Sequence, residues 1–297
     1  MAMQYIYGTD TVQQGFNKVN ENFLNVPSGT TEEILQQAQE YTDSVIANPS
    51  LIINDSFKIW QRGTSFSQAN FTEQYTADRW TVSCSDSSTT VTVTQVNNGM
   101  QITGSTASTI SLKYYMEQAD LNKILGENCT LSYSINGTIT TTPLLVPSGA
   151  VETAALINIS IPISTTTTVV NWVKLELGNI ATQYVPRQAG EELLLCQRYF
   201  RTFPLYFCAH TTFAYSGINN QFSINLTPEM RITPTADFVN CKLSTTTSAS
   251  AIQGVTFSTQ SSSKDLLFVV AATTNTTPDA VFVVMSNGGL TLDAEIY

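Results

Sequence analysis

The hydrophobic period of this chain changes once, near residue 49, and that change limits what it can fold into. Val12, Phe16, Val19, Phe23 and Val26 are spaced alternately by four and three, so they share one seam of a helix while Gln13, Asn17, Lys18 and Asn20 face away. Asp10 is placed to cap that helix. Pro27-Ser28-Gly29 breaks it, and Thr30 with Glu33 forms a capping box that starts a second one. Ile34, Ala38, Tyr41 and Val45 repeat the four-three spacing before Asn48-Pro49 ends the run. Two narrow seams with no local core require partners, either the chain's own domain or parallel copies of the chain. Self-association is the expectation here.

Beyond residue 50 the period becomes two. Trp80–Cys84, 90–96, 100–103, 110–114, 129–135, 156–161 and 169–175 alternate apolar with hydroxyl or amide side chains, as strands with one buried face do. Asn97-Asn98-Gly99 reads as a turn, residues 117–125 as one short helix, and 191–200 as a helical run that hinges two units. Residues 221–226 alternate again, and 266–272 and 280–285 are apolar enough to be fully buried strands. The expected fold is therefore mainly β, with three stretches: a helical segment over 1–49, an antiparallel sandwich over 50–190 and a C-terminal β tip, itself a sandwich, over 191–297. Only 12% of residues are charged while 42% are hydrophobic, which fits sheets whose solvent faces carry Thr, Ser and Asn.

Charge and motifs exclude more than they assign. A formal net charge of -10 disfavours a phosphate backbone, so no nucleic-acid partner is expected. No basic-then-apolar leader opens the sequence, and no run approaches the roughly 18 apolar residues of a membrane span. The chain is thus expected to fold in a cytosol without membrane insertion. Five cysteines with no Cys-x-x-Cys pair read as buried free thiols rather than disulfides or a metal site. The one histidine, His210, has no nucleophile elbow to serve, and no metal-ligand motif, phosphate loop or dinucleotide fingerprint accompanies it. No catalytic residue, cofactor or metal is identified, and the protein is expected not to be an enzyme. Carboxylate-pair glycoside cleavage stays open on inventory alone, although no β-helix repeat of the kind depolymerases carry is visible.

Several motifs in fixed order point further. They are Asn54-Asp55-Ser56-Phe57-Lys58-Ile59-Trp60-Gln61-Arg62-Gly63, Tyr75-Thr76-Ala77-Asp78-Arg79-Trp80, Tyr114-Tyr115-Met116-Glu117, Leu125–Ser132, Val173–Thr182, Cys196-Gln197-Arg198-Tyr199-Phe200 and Met230-Arg231-Ile232-Thr233-Pro234-Thr235. In this succession the chain resembles tail fibre receptor-binding proteins of tailed bacteriophages, with a jelly roll similar to carbohydrate-binding modules. Thr11–Phe23 likewise resembles the virion-proximal opening of phage tail appendages. The resemblance implies a homotrimer in the virion tail, assembled in the host cytoplasm. Val12, Phe16, Val19, Phe23, Ile34 and Tyr41 would then join the three copies and the other tail proteins, and the remainder would adhere to a host-surface polysaccharide or glycan. The alternatives are a structural tail or baseplate appendage without a receptor, and a polysaccharide depolymerase.

Within that reading, aromatic rings beside amides are the natural sugar contacts. Trp60, Trp80 and Trp172 lie in strand patterns and are expected in the core. Arg79, next to Trp80 and after Asp78, is expected to form a structural ion pair rather than a ligand contact. Tyr206, His210, Phe213 and Tyr215, in a stretch with Asn219, Asn220 and Gln221, are expected to form a polar, shallow glycan site on a loop.

Overall fold

In the computed structural model the described residues are 32, 33, 35, 36, 48–203, 206–209, 219–245, 248–252, 256–272 and 282–297. The seam residues Val12, Phe16, Val19, Phe23, Ile34 and Tyr41 lie outside them. Over the rest the chain is mainly β, with antiparallel sheets and few helical residues.

The first unit is a two-layer sandwich. One layer has six strands in the order β1 (Ser65–Ala69), β4 (Thr90–Val96), β5 (Gly99–Gly104), β10 (Thr168–Leu177), β7 (Asn128–Ile135), β8 (Thr138–Leu145). The other orders β2 (Gln74–Tyr75), β3 (Trp80–Cys84), β6 (Ser108–Tyr114) and β9 (Ile157–Ile163). The chain crosses from one layer to the other between β1 and β2, β3 and β4, β5 and β6, β6 and β7, β8 and β9, and β9 and β10. Between β6 and β7 lies the short helix α1 (Gln118–Leu121).

Period two does what it must in such a sandwich. Ile157, Ile159, Ile161 and Ile163 point into the core while Asn158, Ser160 and Pro162 face out, and Val91 and Val93 meet them from the opposite layer. Trp80 sits fully buried, its ring 5.1 Å from those of both Phe57 and Tyr114, and its indole N–H donates to the Asn54 carbonyl at 3.0 Å. Trp60 is buried as well. Trp172 corrects the core expectation: a register shift between Val170 and Trp172 leaves Val170 and Val173 in the core and turns Trp172 outward. There it stacks on Tyr184 at 4.5 Å and 8°. Asn97 and Asn98 form the turn between β4 and β5, and Gly99 follows at φ +142, where a Cβ would lie 2.1 Å from the Val170 carbonyl oxygen; only glycine fits.

The second unit holds β11 (Phe200–Phe203), β12 (Tyr206–Ala209), β13 (Asn219–Asn225), β14 (Thr235–Thr245), β15 (Ser248–Ile252), β16 (Thr256–Ser262), β17 (Leu266–Ala272) and β18 (Phe282–Asp293). β18 is twelve residues long and carries β14 on one edge and, in succession, β11 and β12 on the other, while β13, β17 and β16 form a separate sheet. The stretch from Tyr206 was expected as loop, yet Tyr206–Ala209 is a strand with Tyr206 opposite Met285. Four residues are too short to announce a strand, but a long partner recruits them once β11 has set the register.

The units are fastened rather than loosely hinged. Helix α2 (Ala189–Cys196) buries Glu192, whose carboxylate accepts from the backbone N–H of Asn54, and buries Cys196 at the junction. After β18 the chain returns to the sandwich: the Ala294 N–H donates to Tyr199 O at 2.8 Å, and the Tyr75 hydroxyl donates to Ile296 O at 2.6 Å. Arg231, from the Met-Arg motif, donates to the carbonyls of Ala294 and Glu295, each at 2.8 Å.

Candidate functional site

The motifs that looked far apart in sequence converge at this junction. Asn54, at φ 56, donates its side-chain amide to the carbonyls of Ile59 and Asp78 at 2.8 and 2.9 Å, tying the Trp60 segment to the Trp80 segment. Asp78 accepts from the Gln61 backbone at 2.9 Å and from its side chain at 2.5 Å, and the same side chain donates to Phe200 O at 2.7 Å. Arg79 is fully buried. It forms the expected structural ion pair, with the carboxylate of Glu295, and its guanidinium lies 3.6 Å from the Tyr199 ring centroid. Arg62, 3.7 Å from the Phe200 ring, stands among Asp78, Asp293 and Glu295 at 3.8, 3.5 and 3.5 Å.

Beside this lock opens a cleft of about 240 Å³, walled by Tyr75, Tyr115 and Tyr297 and floored by polar groups of Glu73, Gln74, Thr81 and Thr153. β2 and β3 bring Gln74, Tyr75 and Thr81 together, the end of β6 supplies Tyr115, and the returning chain after β18 supplies Ile296 and Tyr297. Glu73 is the organiser. It accepts from Lys113 at 2.6 Å, from the Tyr115 hydroxyl at 2.6 Å and from the Thr81 hydroxyl at 2.9 Å. Burial alone would raise its pKa, but these three bonds outweigh it and hold the carboxyl below the usual range. Tyr115 moves the other way, to about 12, through burial and the adjacent Glu73 carboxylate.

Tyr297 is the notable member, because its side chain is 81% exposed and yet held at both ends. Its hydroxyl donates to Asp293 at 2.6 Å, and its ring stands edge-on to Tyr75 at 5.6 Å and 89° while the Tyr75 hydroxyl grips the preceding carbonyl. The result is a fixed aromatic platform open to solvent above a floor of hydroxyls, amide and carboxylate. Such a surface can stack on an apolar face and hydrogen-bond a polyol.

A second cleft, about 380 Å³, lies across the sandwich end between Leu51, Ile53, Met116, Ile124 and Leu195, with Glu117, Asp120, Lys123 and Arg187 among its polar lining. Tyr114 and Tyr199 also line it, but both are buried, so it has no exposed ring platform. No group of three or more His, Cys, Asp or Glu capable of holding a metal occurs among the described residues. Cys84, Cys129 and Cys196 are buried free thiols, as expected. No helix of the described residues is long and apolar enough to cross a membrane.

Of the expected glycan contacts, Tyr206 lies on β12, while His210, Phe213 and Tyr215 lie outside the described residues. Two of the cleft residues stand in motifs already singled out, Tyr75 before Arg79 and Tyr115 after Tyr114, but they read there only as parts of a sheet. Nothing in the sequence links Glu73 or Tyr115 to Tyr297 across more than 180 residues. No protein-family model, curated protein or solved structure matches the chain.

Proposed function

We propose that the protein is a receptor-binding tail fibre component of a tailed bacteriophage, acting in the virion by adhesion to a host-surface glycan. The observation that carries this reading is the fixed, exposed Tyr297 platform beside a polar floor, on a scaffold whose alternation between two antiparallel layers suits a carbohydrate-binding jelly roll. The motif succession read from the sequence supports the same assignment, and so does a surface poor in charge and rich in hydroxyls. A single shallow site of this kind contributes about 4–6 kcal/mol, which is roughly millimolar to tens of micromolar. Adhesion at that strength needs several linked copies.

The helical seams of residues 1–49 supply them in this reading, by parallel packing of three chains whose N-terminal ends also meet the other tail proteins. Light scattering on the intact protein at micromolar concentration is expected to give a trimer; a monomer would remove both the trimer and the avidity argument.

The adhesion itself is tested on cells. Fluorescently labelled protein is expected to stain a susceptible bacterial strain, and mild periodate oxidation of the cells, which cleaves vicinal diols, is expected to abolish staining. Staining of no strain infected by the phage that encodes it would favour a structural appendage, and release of new reducing ends from host polysaccharide would favour a depolymerase.

A further inference from the structure

We propose that the tyrosine cleft binds a neutral pyranose, a hexose or an N-acylhexosamine, and rejects sugar acids; this rests on the adhesion reading and narrows it to a site and a ligand class. Size comes first. About 240 Å³ is smaller than the roughly 300–1,000 Å³ of pockets for drug-sized ligands, so it accommodates one sugar residue with its neighbours in solvent.

Charge decides the class. Glu73 is the only ionisable acid or base among the lining side chains other than the tyrosines, and it is an acid. The nearby cations are already paired with acids: Lys113 with Glu73 itself at 2.6 Å, Arg62 with Asp293 and Glu295 at 3.5 Å each, and Arg79 with Glu295 in the buried junction. A uronate or sialate carboxylate would therefore have to compete with Glu73 for Lys113 and would face Glu73 and Asp293 within a protein of net charge -10. A neutral sugar has no such conflict. A carboxylate offers about four acceptor positions, and Glu73 uses three, leaving one for a sugar hydroxyl. Gln74 and Thr153 add amide and hydroxyl groups, which read a hydroxyl pattern without requiring charge.

The ring geometry supplies the remainder. Tyr75 stands at right angles to Tyr297 and braces the exposed ring against which a pyranose would stack. Because Asp293 already fixes the Tyr297 hydroxyl, little side-chain freedom is lost on binding.

Saturation-transfer NMR on the full chain tests this, with methyl glycosides of glucose, galactose and mannose, with N-acetylglucosamine, and with glucuronic and galacturonic acids. At least one neutral sugar is expected to bind and both acids to fail. Tyr297→Ala and Tyr115→Ala are each expected to weaken that binding about fivefold or more with an unchanged melting temperature. Binding of the acids alone, binding of no neutral sugar, or unaltered binding by both variants overturns the proposal. Cell staining by the same variants separates the two levels: if cells stain in a periodate-sensitive way and Tyr297→Ala stains equally, the cleft is wrong and adhesion stands. If the unaltered chain stains no cells, the adhesion reading itself has failed.

Discussion

Replacing Arg79 with methionine is expected to lower folding stability by about 3–5 kcal/mol, as when a buried ion pair loses one member. The side chains of Arg79 and Glu295 are both fully buried, from opposite units of the chain. Burial alone would weaken the hold of Arg79 on its proton, but the Glu295 carboxylate and the surrounding tyrosines keep it firmly charged. The same guanidinium donates to the Tyr115 carbonyl and covers the Tyr199 ring, while its Nε has no hydrogen-bond partner. With methionine there, Glu295 keeps only the longer 3.5 Å contact to Arg62. Glu295→Leu alone should cost a similar amount for the converse reason. The double variant should cost well under the sum, since it leaves no uncompensated charge. Urea unfolding of the four proteins measures the cycle; additive losses, or a loss under about 1 kcal/mol for Arg79→Met, would show that the pair does not hold the units together. Because Glu295 precedes Ile296 and Tyr297, the single variants should also loosen the platform and weaken saccharide binding.

The sandwich was largely legible in the sequence because its signal is local. Ile157, Ile159, Ile161 and Ile163 declare a strand on their own, and so do Val91 and Val93, whatever they pack against. The hairpin between β7 and β8 is equally local: the φ values of 52 and 80 at Asn136-Gly137 make it the two-residue turn that pairs Ile135 with Thr138. Trp172 went wrong for a reason no alternation reveals, since one extra residue in β10 reverses which face it meets. The short β12 was missed because a four-residue strand owes its existence to β18, more than 70 residues away.

The candidate site was less legible than the fold, because it is a property of closure. Arg79 reads as a structural ion-pair residue from its own segment, but its partner Glu295 lies 216 residues away and only the fold supplies it. Tyr75 and Tyr115 each sit at the end of a strand whose interior faces the core, so their pattern predicts packing and nothing more. What turns them into a wall is the return of residues 294–297 to the sandwich, fixed by Tyr199, Arg231 and Tyr75. Rings beside amides within one stretch of chain point to Tyr206 and its neighbours; the tyrosine cleft assembles the same mixture from four separate stretches, which no local pattern shows.

Mild acid is expected to stabilise this protein. Burial raises Asp55 from 3.8 to about 6, only partly offset by the hydrogen bond from Tyr184, with Glu192 adding repulsion. Burial likewise raises Asp78 to about 6 against the bonds from Gln61 and the charge of Arg62. With folded pKa values above the unfolded one, each carboxyl binds its proton more tightly in the native state. The associated stability is complete below about pH 4, declines as pH rises toward 6, and is gone above 7. A shift of about two units corresponds to about 3 kcal/mol for each group. The opposing groups act lower: hydrogen bonds from Ser88 and Thr89 hold Asp86 at about 2, and Glu73 is also depressed, so their contributions are lost only as pH falls below the normal carboxylate range. Thermal melts should therefore rise by several degrees from about pH 7.5 to about pH 5 and turn down below about pH 4. Asp55→Asn, which retains an acceptor for Tyr184 at 2.7 Å, should flatten roughly half of that slope. A melting temperature that is constant or increases from pH 5 to 7.5 would mean that Asp55 and Asp78 ionise in the folded protein as freely as in the unfolded chain, and that the junction they occupy is wetter than its packing implies.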